Sequence, residues 1–331
     1  MKGAGRAARA AARSSLERIT NELLVLGLRA AIRVAEWLGV DRTLRVGRAC
    51  GRAWPVLGLP RTRRVREQLA SAFPEEAPTQ RERWQSEVFA HLAQGVAELL
   101  LMSGRHRASM LSHVEVIGLD HLERAVREYG GKGAVVIGPH LGNWELGAAK
   151  LAALDVPVSA IYRGLRQPAL ERALQRVRSG TPRTRGELEG GSPIEQIAMG
   201  RRAGVRFLRA LEAGRSVLVL LDQHARRDEG MIVEFFGRPA RTRFGPLKLA
   251  DRVGAPVLMA FATRDADRLH HRLTIHPPLQ LERGAAEDEA VLRRNLQTVT
   301  AAIETEIRAL PTQWIWTHRR WRAERERSAS S

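Results

Sequence analysis

Cysteine is nearly absent from this chain: Cys50 is the only one among 331 residues. A single cysteine excludes an internal disulfide, and it also excludes a metal cluster held by several thiolates. The composition therefore fits a protein of a reducing compartment. No apolar segment with a small-residue cleavage site follows the first arginines, so no cleaved signal peptide is predicted and the chain is expected to face the cytosol.

Long uncharged apolar runs are also missing. The most apolar stretch lies within residues 19–40, where the letters LLVLGL are followed by Arg29, Arg33 and Glu36. These charges leave the run well short of the roughly 20 residues that span a bilayer. The pattern favours an amphipathic helix lying in the headgroup region, with arginines for anionic lipid and Trp37 at the interface. A helix that packs on the rest of the protein fits the same pattern equally.

Acidic residues are too few to balance the basic ones. Lys and Arg total 54 against 36 Asp and Glu, and only four of the 54 are lysines, which leaves a net charge of +18 carried almost entirely by guanidinium groups. A coding bias toward arginine explains this skew as well as function does. Candidate partners are an anionic membrane, an acidic protein or nucleic acid. Aromatic residues, at 5%, are too few and too clustered in apolar runs for a nucleic-acid stacking surface, so no nucleic-acid partner is predicted.

Composition and periodicity divide the chain into four parts. Residues 1–16 are predicted to be a basic tail that is disordered or only conditionally helical, and residues 323–331 a disordered tail. Residues 17–105 are predicted to form a helical region that contains the membrane-associating helix. Residues 106–322 alternate between strand-like and helical segments, which predicts an α/β domain with a mixed, mostly parallel sheet flanked by helices.

The α/β part is predicted in detail. The strands are expected at Val114–Gly118, Ala134–Gly138, Val158–Arg163, Ser216–Gln223, Met231–Phe236, Val257–Arg264 and Arg272–His276. The helices are expected at Leu119–Tyr129, Asn143–Leu154, Pro168–Arg178, Gly204–Glu212, Pro246–Val253 and Asp288–Leu310. Open sheets of this kind bind ligands at the carboxyl ends of their strands, so the functional residues are sought there.

One strand–turn–helix stretch carries the clearest chemical pattern. The strand 134–137 ends at Gly138 and His140 follows, while Asn143 is the predicted N-cap of the next helix and Glu145 lies in its first turn. If the histidine ring folds back over that turn, a hydrogen bond to Glu145 fixes its tautomer, and the other ring nitrogen takes a proton from a hydroxyl group. A capped helix beside a structural histidine is the alternative.

Polar residues also end two neighbouring predicted strands. Arg163 follows one of them, and Asp222 and Gln223 end another. Arg163 is a candidate for binding a phosphate or a carbonyl oxygen, with Asp222 orienting its guanidinium group. An ordinary ion pair at the edge of the sheet fits the same residues.

The segment 231–245, MIVEFFGRPARTRFG, changes from apolar and aromatic to basic. Phe235, Phe236 and Gly237 are therefore predicted to line a pocket for an acyl chain beside an anion site. A pair of phenylalanines in the protein core is the alternative.

These segments together resemble the lipid A biosynthesis acyltransferases, a bacterial family within the lysophospholipid acyltransferase superfamily. HLGNWEL at 140–146 is similar to the family's signature block. Further blocks follow the family's order: LASAFPEE at 69–76, IYR at 161–163, LRQPALERALQRVRSG at 165–180, LLDQ at 220–223, EFFGRPARTRFGP at 234–246 and PTQWIWTHRRW at 311–321. The resemblance covers roughly residues 20–321.

The resemblance implies a glycerolipid-acyltransferase-like fold and an activity. A fatty acyl group would pass from an acyl-carrier-protein thioester to a hydroxyl of a lipid A precursor, without a metal or other cofactor, at the cytoplasmic face of the bacterial inner membrane. His140 would be the catalytic base and Glu145 its acidic partner. The predicted substrate-binding residues are Asn143, Arg163, Arg178, Asp222, Gln223, Phe235, Phe236 and Gly237. The expected partners are the carrier protein, an anionic glycolipid and the membrane surface.

Two positions depart from the family pattern. The N-terminal apolar run is interrupted by charges where family members often have a membrane-spanning helix, so peripheral or monotopic attachment is predicted. Thr312 replaces the usual glutamate before Gln-Trp, which leaves that position without an inferred role. Related enzymes of the superfamily acylate mannosylated phosphatidylinositol or other lysolipids and tend to have aspartate where Glu145 stands; such an activity is the main alternative.

Overall fold

A seven-stranded β-sheet with helices packed on both faces lies at the centre of the computed structural model, which describes residues 2–165, 167–179 and 194–322. The strands are β1 Val114–Ile117, β2 Val135–Gly138, β3 Val158–Tyr162, β4 Glu195–Ala198, β5 Ser216–Leu220, β6 Gly230–Phe235, β7 Arg238–Arg243, β8 Val257–Arg264 and β9 His271–Pro278. The helices are α1 Lys2–Leu38, α2 Val40–Val56, α3 Thr62–Ala72, α4 Pro78–Met102, α5 Arg107–Ser112, α6 Leu119–Glu128, α7 Trp144–Ala153, α8 Pro168–Ser179, α9 Ala203–Glu212, α10 Gly245–Val253 and α11 Glu289–Ala309, followed by a 3₁₀ turn at Pro311–Gln313.

The strand order of the sheet is β1-β9-β8-β2-β5-β3-β4. Every neighbouring pair is parallel except β8 and β9, which are antiparallel. Strands β6 and β7 form a separate antiparallel hairpin. The mixed, mostly parallel sheet flanked by helices confirms the fold class predicted from the sequence.

The middle strand β2 is buried on both of its faces. Val135 and Ile137 pack into the larger core cluster, with side chains of α9, α10 and α11, whereas Val136 packs into a second cluster with Leu122 of α6 and Leu151 of α7. Successive side chains of a strand point to opposite faces, so both faces of the sheet are covered here. This burial explains why the strand is a continuous apolar run and does not alternate with polar residues.

Helices fill the part of the chain before β1. Helix α1 begins at Lys2, so residues 2–16, for which either disorder or a conditional helix was predicted, are helical in this structure. Alanine and arginine, which dominate that segment, are both strong helix formers, and this explains the helix. The predicted C-terminal tail, residues 323–331, lies outside the described residues.

Helix α1 presents apolar side chains to solvent. Leu23, Leu26 and Trp37 are exposed, and Trp37 keeps 79% of its surface. Within residues 2–165, 167–179 and 194–322, no helix combines the length and the apolarity needed to cross a bilayer.

Two strands of the structure were not predicted. Strand β4 reads EQIA and lies at the edge of the sheet, where only one neighbour, β3, pairs with it. Strand β7 reads RPARTR and pairs only with β6. Both strands have too few apolar residues for a periodic signal, because an edge strand buries less of its surface than a central one.

Candidate active site

Two parallel strands bring a histidine and an aspartate to the same edge of the sheet. Strand β2 pairs with β5 so that Gly138 lies opposite Leu220. Two residues beyond this pair, the backbone reaches His140 after β2 and Asp222 after β5. The Nδ1 atom of His140 and the Oδ1 atom of Asp222 are 2.7 Å apart. The pair therefore follows from the strand register.

Asp222 is buried, with 2% of its surface exposed, and its carboxylate accepts three hydrogen bonds. Besides the ring of His140, the backbone N–H of His140 donates to Oδ2 at 2.9 Å and the indole N–H of Trp314 donates to Oδ2 at 2.6 Å. Burial raises the pKa of this carboxyl, but the charge of His140 and the three hydrogen bonds outweigh burial and lower the pKa of Asp222 to about 2. The carboxylate is thus ionised at neutral pH. Nδ1 of His140 carries the hydrogen that it donates, which leaves Nε2 as the basic nitrogen.

The Nε2 atom of His140 is the ring nitrogen that Asp222 does not bind. The side chain of His140 retains 17% of its exposure. The amide nitrogen of Gln223 lies 3.3 Å from Nε2, and Gln223 also lines a cavity of ≈ 630 Å³. Trp144 packs against the imidazole with its ring edge, at a centroid distance of 4.8 Å, and restricts its rotation. Gln223 therefore connects the basic nitrogen with the cavity, while Asp222 and Trp144 hold the ring.

Glu145 does not hold the ring of His140, so the predicted hydrogen bond between these two residues is wrong. Its carboxylate instead binds the guanidinium group of Arg178 in α8 through two hydrogen bonds, from Nε to Oε2 at 2.8 Å and from Nη2 to Oε1 at 2.5 Å. Burial lowers the pKa of Arg178, but the hydrogen bonds and the charge of Glu145 raise it overall. A guanidinium group satisfies both carboxylate oxygens at once, which one imidazole N–H does not.

The turn between His140 and α7 is shaped by Gly142 and Asn143. Gly142 has a φ of +60°, and a Cβ atom at this position would lie 1.8 Å from the carbonyl oxygen of Ala262. The side-chain oxygen of Asn143 accepts the backbone N–H of Leu146 at 3.2 Å, which confirms Asn143 as the N-cap of α7. Its amide group donates to Glu98 at 2.7 Å, and the side chain is buried. Asn143 is therefore not free to bind a substrate, although a substrate-binding role was predicted for it.

We expect Gly142→Ala to reduce both the stability of the protein and any activity that depends on His140. The positive φ alone costs a residue with a Cβ atom about 1–3 kcal/mol, and the contact with the backbone of β8 forces the turn that holds His140 to move. Urea unfolding and an activity assay measure the two effects. Gly95→Ala is the matched control, because a Cβ at this position in α4 meets nothing within 4 Å and alanine favours the helix. Equal results for the two variants would contradict the role of the turn.

A buried polar network supports this turn from α4. Glu98 is fully buried and accepts two hydrogen bonds from Arg264, at 3.0 Å from Nε and 2.7 Å from Nη2. Burial raises the pKa of Glu98, but Arg264 and His271 lower it to well below its usual range. His91, also in α4, makes a 3.2 Å hydrogen bond with the carbonyl oxygen of Gly142. The catalytic turn is therefore anchored to a buried ionised acid that no sequence pattern indicated.

The other predicted site residues lie in different surroundings. Arg163 follows β3 and is exposed, and it makes no ion pair with Asp222, whose oxygens are occupied by His140 and Trp314. The prediction that Asp222 orients Arg163 is therefore wrong. Gln223 lies beside His140, as a residue of the site should.

Phe235 and Phe236 lie in the protein core. They are 0% and 5% exposed, and their rings pack against each other and against Trp321. The prediction that they line an acyl-chain pocket is wrong, because these contacts leave no surface for a substrate chain. Gly237, at the tip of the β6–β7 hairpin, lines a shallow cavity formed by β6, β7 and α11, to which neither His140 nor Asp222 contributes.

The side chains at this edge of the sheet suit proton transfer by a histidine. In the described part of the chain, no three His, Cys, Asp or Glu side chains are grouped so that they could hold a metal ion. An ionised, buried aspartate, an imidazole that it orients, and an Nε2 approached by the side chain of Gln223 suit removal of a proton from a hydroxyl group.

Comparison with known proteins gives a consistent family. The model of the family described as bacterial lipid A biosynthesis acyltransferase matches residues 12–323. The chain is 27% identical over 259 residues to a lipid A biosynthesis palmitoleoyltransferase of Escherichia coli (strain K12), which covers 78% of each chain. It is 26% identical over 261 residues to a lipid A biosynthesis acyltransferase of Haemophilus influenzae, covering 76% of this chain and 73% of the relative.

A second kind of relative acts on a different lipid. A phosphatidylinositol mannoside acyltransferase of Mycobacterium tuberculosis (strain CDC 1551 / Oshkosh) is 27% identical over 222 residues, which covers 66% of each chain. Its identity to the chain equals that of the Escherichia coli protein.

Proposed function

Because the chain belongs to the bacterial lipid A biosynthesis acyltransferase family, we propose that it transfers a fatty acyl group from an acyl-carrier-protein thioester to a hydroxyl group of a lipid A precursor. Membership confirms the resemblance found in the sequence, and acyl transfer in glycolipid biosynthesis is common to the family and its relatives. The observation that carries the proposal is the ring of His140, held by Asp222 through Nδ1, with Nε2 connected to a cavity by Gln223.

The chemistry follows from this geometry. Nε2 of His140 takes the proton of the acceptor hydroxyl while the hydroxyl oxygen attacks the thioester carbonyl carbon. Asp222 stabilises the imidazolium ion that forms, because the carboxylate remains ionised next to it. When the tetrahedral intermediate collapses, the carbon–sulfur bond breaks and the thiolate of the carrier takes the proton back from Nε2. The products are an ester and a free thiol.

No covalent acyl-enzyme is needed in this sequence of steps. The turn 138–144 reads GPHLGNW and contains no serine, threonine, cysteine or lysine that could act as a nucleophile. The histidine therefore activates the acceptor itself.

Glu145 and Arg178 are assigned a supporting role at the edge of the site. Their side chains are 10% and 13% exposed, and the guanidinium group also lies over the ring of Tyr162 at 5.6 Å. The pair joins the first turn of α7 to α8, and it thereby holds in place the helix that follows the His140 turn. Gln223 is the predicted substrate-binding residue that this reading retains, while Arg178 has a supporting role through Glu145.

The charge and the first helix suit the proposed partners. A net charge of +18 attracts an acidic carrier protein and an anionic membrane surface, and it raises the rate of encounter with both. The exposed Leu23, Leu26 and Trp37 of α1 provide an apolar surface for peripheral attachment at the cytoplasmic face of the inner membrane.

The second candidate is acyl transfer to a phosphatidylinositol mannoside or to another lysolipid. The mycobacterial relative favours it, since it shows the same 27% identity, although over 222 residues against 259 for the Escherichia coli enzyme. Glu145 favours the lipid A reading, because the relatives that act on mannosides tend to have aspartate at this position. The catalytic steps are the same for both acceptors.

Mass spectrometry of the lipids from cells that lack the gene tests the proposal. We expect lipid A one acyl chain lighter than in the parent strain, restored by the wild-type gene and not by the His140→Ala variant. A change confined to a phosphoglycolipid would support the second candidate, and unchanged lipids would overturn both. In vitro, a purified enzyme that uses acyl-coenzyme A and rejects acyl carrier protein would refute the proposed donor.

A further inference from the structure

The cavity at Gln223 is lined mainly by cations. Its volume is ≈ 630 Å³, and its polar side chains are those of Arg61, Arg64, Gln223, Thr317, His318, Arg319 and Arg322. Two segments supply the arginines: the start of α3 and the irregular segment that follows the turn at Trp316. Four arginines thus line one cavity, which Gln223 connects with His140.

The charge of these arginines is not balanced by the protein. In the ranges that the structure covers, none of the four has a carboxylate oxygen within the 4.0 Å of an ion pair. Arg64 donates from Nη1 to the carbonyl oxygen of Thr317 at 3.1 Å, while its buried Nε has no partner. By contrast, the adjacent Arg63 points away and pairs with Glu67 at 2.7 Å. Uncompensated guanidinium groups around a cavity indicate a site for an anion.

The backbone at the cavity points to the same ligand. Arg61 has a φ of +73°, the left-handed region that a residue with a side chain rarely adopts, and it lies at the N-cap of the 11-residue helix α3 without a side-chain cap. The N-terminus of a helix carries partial positive charge and free N–H groups. Strain of this kind is commonly kept where it serves a ligand, and here it places the Arg61 side chain at the rim of the cavity.

His318 lies between the arginines and the catalytic pair. Burial, together with the charges of His140, Arg322 and Arg320, lowers the pKa of His318 to about 4 although Asp222 opposes this shift. His318 is therefore neutral at physiological pH. Its Nε2 accepts the backbone N–H of His224 at 3.3 Å, so Nδ1 carries the ring hydrogen. Because the ring of His318 is neutral, the positive charge at the cavity is carried by the arginines. The ring of His318 therefore adds no charge that would oppose protonation of His140.

We propose that this cavity binds a phosphate group of the glycolipid acceptor and thereby places the acceptor hydroxyl at Nε2 of His140. The inference rests on the proposed function and deepens it. Guanidinium forks match the oxygens of a phosphate, and Gln223 joins the two sites, since it lines the cavity and lies 3.3 Å from Nε2. The phosphate of a carrier protein's pantetheine arm is separated from the thioester by a long extended chain, so a phosphate this close to the base belongs to the acceptor.

The double variant Arg61→Gln/Arg319→Gln tests the site. We expect KM for a phosphorylated lipid A precursor to rise at least about tenfold, because two charge-assisted hydrogen bonds are lost, while kcat and KM for acyl carrier protein stay close to wild type. The variant and the wild type should have the same KM for the precursor from which phosphatase has removed the phosphates. Arg63→Gln, which removes the same charge from the same helix outside the cavity, should behave as wild type.

Three results would overturn the assignment. A raised KM for the carrier protein would place the phosphate on the donor, an equal loss with the dephosphorylated acceptor would show a general charge effect, and an equal loss in Arg63→Gln would show the same. Arg61→Gly controls for folding, because glycine relieves the positive φ: it should melt no lower than wild type and still raise KM.

Calorimetry separates this proposal from the proposed function. If the protein acylates no glycolipid, the proposed function fails, yet glucosamine 1-phosphate should still bind to the wild type and to Arg63→Gln, and at least about tenfold more weakly to the double variant. Unphosphorylated glucosamine should bind weakly to all three. Equal binding of both sugars, or equal binding by all three proteins, would refute the phosphate site itself.

Discussion

Replacing His140 with alanine is expected to lower acyl transfer by about 10²–10⁴-fold, the usual cost of removing a general base, with the fold retained. The imidazole supplies a proton-accepting nitrogen and contributes little to the core, since its side chain is still 17% exposed. Asp222 keeps its bonds to the backbone N–H at position 140 and to Trp314 in the variant. Initial rates with saturating acyl carrier protein and acceptor, together with the unfolding temperature, measure the two quantities.

A surface histidine provides the matched control for this experiment. His270 pairs with Asp267 through Nδ1, at 2.5 Å, in much the same way as His140 pairs with Asp222, but both partners are about half exposed in the β8–β9 turn. His270→Ala should therefore leave the rate unchanged. If His140→Ala retained more than about a hundredth of the activity, the histidine would not be the base.

The elements of the fold were predictable because their signals are local. Strand β2 was visible as an apolar run closed by Gly138, and helix α7 as apolar residues at helical spacing behind Asn143. Their bounds differ from the predicted ones by one residue. Strands such as β4, whose sequence EQIA buries little, produce no such signal and were missed.

The partner of His140 was not predictable in the same way. Glu145 is near it in the chain, and this nearness favoured it, whereas Asp222 is 82 residues away. Only the strand order shows that β5 is next to β2 and that Gly138 faces Leu220. The apolar pattern of a strand does not show which strand it pairs with. The sequence therefore indicated that Asp222 lies at the end of a strand, but not that the end of β2 lies beside it.

Buried charge was hidden from the sequence for a related reason. Glu98 lies on a face of α4 that carries both apolar and polar residues. Its partner, Arg264, is the last residue of β8 and lies 166 residues away in the sequence. A charged residue is normally expected at the surface unless it is paired, and the pairing appears only in three dimensions. Phe235 and Phe236 illustrate the converse, since an apolar pair fits a pocket wall and a core equally until their neighbours are known.

Replacing Asp222 with asparagine is expected to cost about 10³–10⁴-fold in kcat, near the loss of about 10⁴ that the same change causes in a Ser–His–Asp site. The amide of asparagine turns a donor toward groups that now donate, namely the ring of His140 and the indole N–H of Trp314. The ring then prefers the wrong tautomer, and the imidazolium ion loses its counter-charge. Because the imidazolium ion loses this counter-charge, the acidic limb of the pH–rate profile should move to lower pH.

Stability should respond to pH in a way that identifies the same carboxylate. A carboxyl whose pKa is lowered by folding stabilises the protein fully above its ordinary pKa of 3.8, and this contribution is lost as the pH falls toward the folded value of about 2. Wild type should therefore be more stable than Asp222→Asn at neutral pH, and the difference should narrow between about pH 4 and pH 2. Urea unfolding at several pH values measures it.

Glu145→Gln distinguishes the two acids that have been considered as partners of the histidine. Because Glu145 binds Arg178 and not the imidazole, its replacement should loosen α7 against α8 and raise KM, but it should leave the acidic limb of the pH–rate profile in place. Only the residue that touches Nδ1 changes how readily the ring holds a proton. A limb that moves in Glu145→Gln and stays fixed in Asp222→Asn would therefore return the orienting role to Glu145 and contradict the arrangement of strands β2 and β5 from which the site was derived.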